Sequence, residues 1–243
     1  MKAAEARTAS RHDGTSGPSP TYPVLVVDDH ELFSTSLTMA LRNEGFEARK
    51  LAVTMIADFL ARPEREGPGL VVLDLDLGHD DTGAHLNGAD LVEAFRGRGW
   101  KVLIVSGGID EPGVASAIAA GAIGSVPKSR SFDVLVRAIA DTATGRSVMS
   151  EAEHRDWLER DRRYRAQARE LSRRLGRLSR REREVLELLA DGMRAAAIAD
   201  HFVVSMPTVR TQIRSILMKL QVGSQLEAVA LSRQALTTEL RRA

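Results

Sequence analysis

Apolar and polar positions along the chain alternate in two registers. Between residues 24 and 145, short apolar runs are separated by helix-period segments. The runs are "VLVV" (24–27), "LVVL" (70–73), "VLIV" (102–105) and "IGSV" (123–126), with a weaker one in "FEARKL" (46–51). The segments between them, 31–44, 54–62, 88–97, 112–120 and 131–144, carry the 3.6-residue spacing of half-buried helices. Five strands alternating with five helices predict a parallel sheet covered on both faces, a flavodoxin-like doubly wound α/β fold. From 178 to 237 the pattern is helical throughout, with turns expected at 191–193, 201–207 and 221–224. Short helices joined by short turns predict an all-α helix-turn-helix unit.

The stretch between these two regions has its own pattern. Trp157, Tyr164, Leu171 and Leu178 recur every seven residues, with Ala168 and Leu175 filling in, Asp161 breaking the stripe and Gly176 ending the helix. One apolar stripe on an arginine-rich helix serves either as a linker packed on its neighbouring domain or as a dimer seam. The expected organisation is a tail at 1–22, an α/β domain at 23–146, a linker helix at 147–177 and a helical domain at 178–243.

Charge separates the same two parts. Residues 1–150 carry a net −5 and residues 151–243 a net +6, although the chain as a whole is only +1. A basic, helix-turn-helix half points to double-stranded DNA as its partner. The chain has no cysteine, which excludes disulfides and thiolate metal sites and suits a reducing cytoplasm. The first 20 residues lack an apolar core, so they are not expected to be a secretory signal. No apolar run approaches the ~18 residues of a membrane span.

Candidate chemistry lies where the strands end. Asp28 and Asp29 follow the first strand, Asp74 and Asp76 the third, Ser106 the fourth and Lys128 the fifth. In a parallel sheet these groups meet in one cleft at the carboxyl edge. Clustered carboxylates repel one another unless a hard cation neutralises them, and Mg²⁺ with its preference for oxygen ligands fits. In the helical half, Ser205 has the position of an N-cap and Pro207 is tolerated in a first turn. Val209, Ile213, Ile216 and Leu220 make the buried stripe of the next helix, leaving Arg210, Thr211 and Arg214 for the groove of DNA. Ser205, Thr208, Arg210, Thr211, Arg214 and Lys219 are the candidate DNA contacts, Lys219 and the arginines at 180, 181 and 183 toward phosphates or solvent.

With these residues in view, the chain resembles a two-component response regulator of the NarL/FixJ type, a receiver joined to a LuxR-type DNA-binding domain. "VLVVDDHE", "VVLDLDL", "VLIVSG" and "GSVPKS" carry the first resemblance; "LSRREREVLELLADG", "IADHFVVSMPTVRTQIRSILMKL" and "EAVAL" carry the second. The resemblance implies that Asp74 accepts a phosphoryl group from a cognate histidine kinase. It implies further that Asp28 and Asp29 hold Mg²⁺ with Asp74 and the Asp76 carbonyl, and that Ser106 and Lys128 contact the phosphoryl group. A homodimer is expected in the active state. Three positions depart from the family pattern. Ser125 stands where an aromatic residue is usual. The 76–88 loop, with His79, Asp80, Asp81 and His85, is long and reads as hydrated. Ala197 replaces a frequent Glu. Two alternatives remain at this point: a phosphorylation-independent transcription factor whose receiver is an interaction platform, and an Asp-based phosphatase of the haloacid-dehalogenase kind, suggested by "LDLDLG".

Overall fold

The computed structural model describes residues 22–62, 69–79, 83, 85–108 and 110–240, with side chains to 235. Apart from Tyr22, the expected N-terminal tail lies outside these residues, as do Asp80 and Asp81. Chain order is β1 (Pro23–Val27), α1 (Glu31–Asn43), β2 (Glu47–Lys50), a 3₁₀ turn (Val53–Met55), α2 (Ile56–Ala61), β3 (Leu70–Asp74), β4 (Asp76–His79), β5 (His85–Asn87), α3 (Gly88–Gly97), β6 (Lys101–Ser106), α4 (Glu111–Ala119), β7 (Gly124–Pro127), α5 (Phe132–Ala143), α6 (Glu151–Gly176), α7 (Arg180–Ala190), α8 (Ala195–Phe202), α9 (Met206–Leu220) and α10 (Gln225–Leu240). No helix among the described residues is long and apolar enough to cross a membrane.

The five expected strands form one parallel sheet in the order β2-β1-β3-β6-β7. Alternate strand residues serve opposite faces, as the two-residue period requires. Leu25, Val27, Val71, Leu73, Val102 and Ile104 pack with Phe59 of α2, Val92 and Phe95 of α3 and Ile118 of α4. Val24, Val26, Leu70, Val72, Leu103 and Val105 pack with Leu37 and Leu41 of α1 and Leu135 and Ile139 of α5. Burial on both faces explains why these strands read as continuous apolar runs.

The long loop after β3 is more ordered than expected. Its described part contains an antiparallel pair, with Asp76 opposite Asn87 and His79 opposite His85. Two strands of four and three residues without a β-branched side chain carry a weak sequence signal. Gly88 then starts α3 hard against β3, where a Cβ would collide with the Asp74 carbonyl oxygen. Any side chain at position 88 would therefore push α3 away from the end of β3.

The α6 helix opens with a capping box between Ser150 and Glu153. Its apolar stripe turns inward onto its own chain. Trp157 packs against the β-sheet core beside α2, α3 and α4. Tyr164 donates its hydroxyl to Glu111 at the start of α4 (2.9 Å), and Arg160 lies 3.6 Å from the same carboxylate. Leu175 packs into the helical core. Asp161, which interrupts the stripe, is buried and paired with Arg165 at 2.7 Å. Of the two readings of the stripe, packing on the neighbouring domains is the arrangement in this structure.

Leu178, Val185, Leu186, Ile198, Val209, Ile213, Ile216 and Leu220 form the core of the helical half. The turn between α8 and α9 is shorter than expected, only Val203 to Ser205. Val203 takes the left-handed conformation at φ 54°, an unusual site for a β-branched residue, and it is exposed.

Candidate functional site

The carboxyl edge of the sheet gathers the expected groups. Asp28 leaves β1 and Asp74 ends β3, and both are nearly inaccessible at 8% and 2% exposure. Lys128 follows β7, and its backbone N–H is tied to the Ser106 carbonyl at 2.8 Å. Its ammonium lies 2.5 Å from Asp74 Oδ2 and 2.7 Å from Asp28 Oδ2, and 4.9 Å from the centre of the Phe33 ring. Ser106 is buried at the end of β6, with Oγ 3.5 Å from the Gly108 carbonyl.

The electrostatics follow from this crowding. Burial raises the Asp74 carboxyl to about 6, with the Asp28 charge adding to the rise; the hydrogen bond and charge of Lys128 oppose it. Burial alone would lower the Lys128 ammonium. Its bonds to Asp28 and Asp74 outweigh that, and the net direction is up.

Asp76 is placed differently. Its carboxylate is exposed and held within its own hairpin, accepting from Gly78 N–H at 3.2 Å and lying 3.1 Å from His85 Nε2. Burial pushes it up, but these contacts prevail and its pKa is lowered. Its carboxylate is not among the side-chain groups that converge on the cluster of Asp28, Asp29, His30 and Asp74.

The strand-end pattern gave no sign of His30. Its backbone N–H donates to Asp28 Oδ1 (2.8 Å) and its Nδ1 lies 2.7 Å from Asp29 Oδ1 and 4.0 Å from Asp74 Oδ2. Asp28, Asp29, His30 and Asp74 each present one ligand atom within 4.8 Å of the others. Three carboxylates at one point, two of them buried, are a donor set suited to a hard divalent cation. The residues present fit Mg²⁺.

The second candidate surface is the exposed side of α9. Ser205 caps the helix as expected: Oγ accepts from Thr208 N–H at 3.3 Å and lies 2.8 Å from Thr208 Oγ1. Val209, Ile213, Ile216 and Leu220 are buried, while Thr208, Arg210, Thr211 and Arg214 are exposed. Thr211 donates its hydroxyl back to the Pro207 carbonyl at 2.9 Å. Lys219 is engaged elsewhere: its ammonium is 2.6 and 2.8 Å from the two oxygens of Glu182 on α7. Glu182 also accepts from Ser215 Oγ and from Ser179 N–H, both at 2.6 Å. The sequence reading missed this junction. The Ser179–Glu182 spacing is that of a capping box and signals one of its bonds; the other two come from residues more than 30 positions away. Arg180 and Arg181 both pair with Glu184 at 3.1 Å, and Arg181 also lies over the Phe202 ring.

Comparison with known proteins assigns a family to each half of the chain. Residues 24–140 match the family model of the response regulator receiver domain, and residues 176–232 match that of the bacterial regulatory proteins of the luxR family. The nitrate/nitrite response regulator protein homolog of Haemophilus influenzae is 27% identical over 217 residues, spanning 86% of this chain and 94% of that protein. The putative positive transcription regulator of virulence factors BvgA, from Bordetella pertussis, is 28% identical over 218 residues, spanning 87% and 96%. The structure of the response regulator StyR is similar at 27% identity, spanning 87% and 98%, with a TM-score of 0.43. The chain belongs to the response regulators of the NarL/FixJ type, in which a receiver domain is joined to a LuxR-family DNA-binding domain. Membership in this family of transcription regulators sets the phosphatase alternative aside.

Proposed function

We propose that a histidine kinase transfers a phosphoryl group to Asp74, and that this controls homodimerisation and promoter binding by the C-terminal domain. The observation that carries the reading is the meeting of two buried carboxylates, Asp28 and Asp74, on the single ammonium of Lys128 at the carboxyl edge of the sheet. With a pKa of about 6, Asp74 is mostly ionised at pH 7.5 and available as a nucleophile. Lys128 and Ser106 stand where they can meet phosphoryl oxygens. Asp28, Asp29 and Asp74, with the Asp76 carbonyl, would hold Mg²⁺, which when bound supplies neutralisation of phosphoryl charge. Incubation with acetyl phosphate and Mg²⁺ is expected to add one phosphoryl group, read by intact mass. Asp74→Asn should add none; an Asn variant that still gains the mass would show that another residue is the acceptor.

In the same reading Arg210, Thr211 and Arg214 face base edges in the major groove of double-stranded DNA. Ser205 and Thr208 meet phosphate at the start of α9. Lys219 serves mainly to join α9 to α7. Arg210→Ala or Arg214→Ala should cost about 1–3 kcal/mol of discrimination between a preferred site and a mixed-sequence duplex. The check is a pair of DNA titrations at one salt concentration. An equal loss on both duplexes would make these arginines phosphate contacts.

A further inference from the structure

The linker helix carries a feature that phosphorylation and groove reading leave unused. From 162 to 177 it contains seven arginines and one acidic residue, Glu170. The other acids of α6, Glu151, Glu153, Asp156, Glu159 and Asp161, all lie in its first half. The helix is therefore polarised along its length, acidic at its start and basic toward its end, with Arg162 and Arg163 still at the level of the receiver, where Tyr164 meets Glu111.

Helical periodicity sorts the arginines. Arg162, Arg169, Arg173 and Arg177 fall on the face opposite Tyr164, Leu171 and Leu175, and all four are exposed. Arg165, Arg173 and Arg174 are neutralised by Asp161 or Glu170. Arg162, Arg163, Arg169 and Arg177 have no acidic partner within ion-pair distance among the described residues. The helix dipole favours cations in the last turn only, which accounts for Arg173 and Arg174 but not for Arg162, Arg163 or Arg169. A face serving solubility alone would mix the two signs. Like charges in a row repel each other until an anion meets them.

The stripe is also fixed relative to the DNA-binding domain. Arg174 donates to the Leu220 carbonyl at the end of α9 (3.3 Å), and Leu175 and Leu178 enter that domain's core. The second half of α6 is thus tied directly to the helix proposed to read DNA.

We propose that the Arg162–Arg169–Arg177 face of α6 is a second, sequence-independent DNA contact that grips the phosphate backbone flanking the site read by α9. The proposal rests on the DNA-binding reading of the C-terminal domain. The stripe spans about 22 Å along the helix axis, alongside a duplex with one charge per about 1.7 Å.

The test uses the full chain and a mixed-sequence duplex, long enough to extend beyond one site, titrated across a range of NaCl concentrations. Each phosphate contact contributes about 0.9 to the slope of log affinity against log salt. R162Q/R169Q/R177Q should flatten that slope by about 2–3, while R162K/R169K/R177K should keep it. Gln and Lys are both good helix formers, and helicity by circular dichroism checks that α6 persists. If the triple variant loses helix, the three single Gln variants replace it, each expected to flatten the slope by about 0.9. A wild-type slope in the Gln variants, with binding intact, overturns the second contact alone. Failure of the wild-type chain to bind any duplex overturns the DNA-binding reading with it.

Discussion

At pH 7.5, Asp74→Asn is expected to make the receiver more stable than wild type by about 2–3 kcal/mol, even though it abolishes phosphoryl uptake. The reason is the position of the carboxyl. Asp74 is 2% exposed and shares Lys128 with a second buried carboxylate, Asp28. Its pKa of about 6, against 3.8 for an ordinary aspartate, means that the folded chain holds the proton more tightly than the unfolded chain. Ionising it in the fold therefore costs about 3 kcal/mol. The cost is absent below pH ~4, grows as pH rises toward 6 and is complete above that. Asn has nearly the same shape and carries no charge, so it escapes the cost. The advantage of the variant should shrink by about half at pH 5. Mg²⁺ should narrow it too, since an ion bound by three carboxylates stabilises the wild type more. Both tryptophans report on this domain, Trp100 from within the core and Trp157 from against it, so urea unfolding followed by fluorescence measures the difference. An Asn variant less stable than wild type at pH 7.5 would mean that the Lys128 bond outweighs burial.

This tension was partly legible in the sequence. A parallel sheet sends the residue after each strand to one edge, so Asp28, Asp74, Ser106 and Lys128 could be placed together from strand order alone. Order does not give distance or protonation. That Lys128 reaches Asp28 as well as Asp74 depends on the register of β7 on β6, where Ser106 lies opposite Pro127. His30 belongs to the cluster through its ring position beyond the end of β1, which no periodicity encodes. The hairpin of β4 and β5 escaped because its strands are only four and three residues long and carry no β-branched side chain. In the helical half, the buried stripe of α9 was plain, and so was its exposed arginine pair. Lys219 looked like one more surface cation. Its partner lies 37 residues earlier on α7, and a contact between helices that distant is invisible to spacing rules.

That contact leads to the other large effect. Glu182→Ala is expected to destabilise the C-terminal domain by about 1–3 kcal/mol and to weaken DNA binding at 37 °C, while phosphorylation of Asp74 in the other domain continues. Burial pushes the Glu182 carboxyl up, but bonds from Lys219, Ser215 and Ser179 overcome it and bring the pKa down to about 2. A carboxylate lowered from 4.5 to about 2 contributes at most about 3 kcal/mol to the fold, less where water screens the pair. Part of that is regained on removal, because Lys219 is 36% exposed and can return to water. The half-buried Ser215 hydroxyl loses its partner, at a cost toward the low end of about 1–3 kcal/mol, while Ser179 is exposed and its N–H can turn to water. Cores of this size rarely supply more than about 3–5 kcal/mol, so the loss is a large part of the margin. The depressed pKa fixes the pH window. The contribution is complete above pH ~4.5 and is lost as pH falls toward 2. Wild type and variant should therefore converge at acid pH and differ most near neutrality. Thermal unfolding by circular dichroism at pH 7 and pH 3 checks this, alongside a DNA titration at 37 °C. Equal stability of the two proteins at pH 7 would show that Lys219 and Ser215 gain as much from water as from Glu182. Lys219 would then be free to turn toward DNA phosphate.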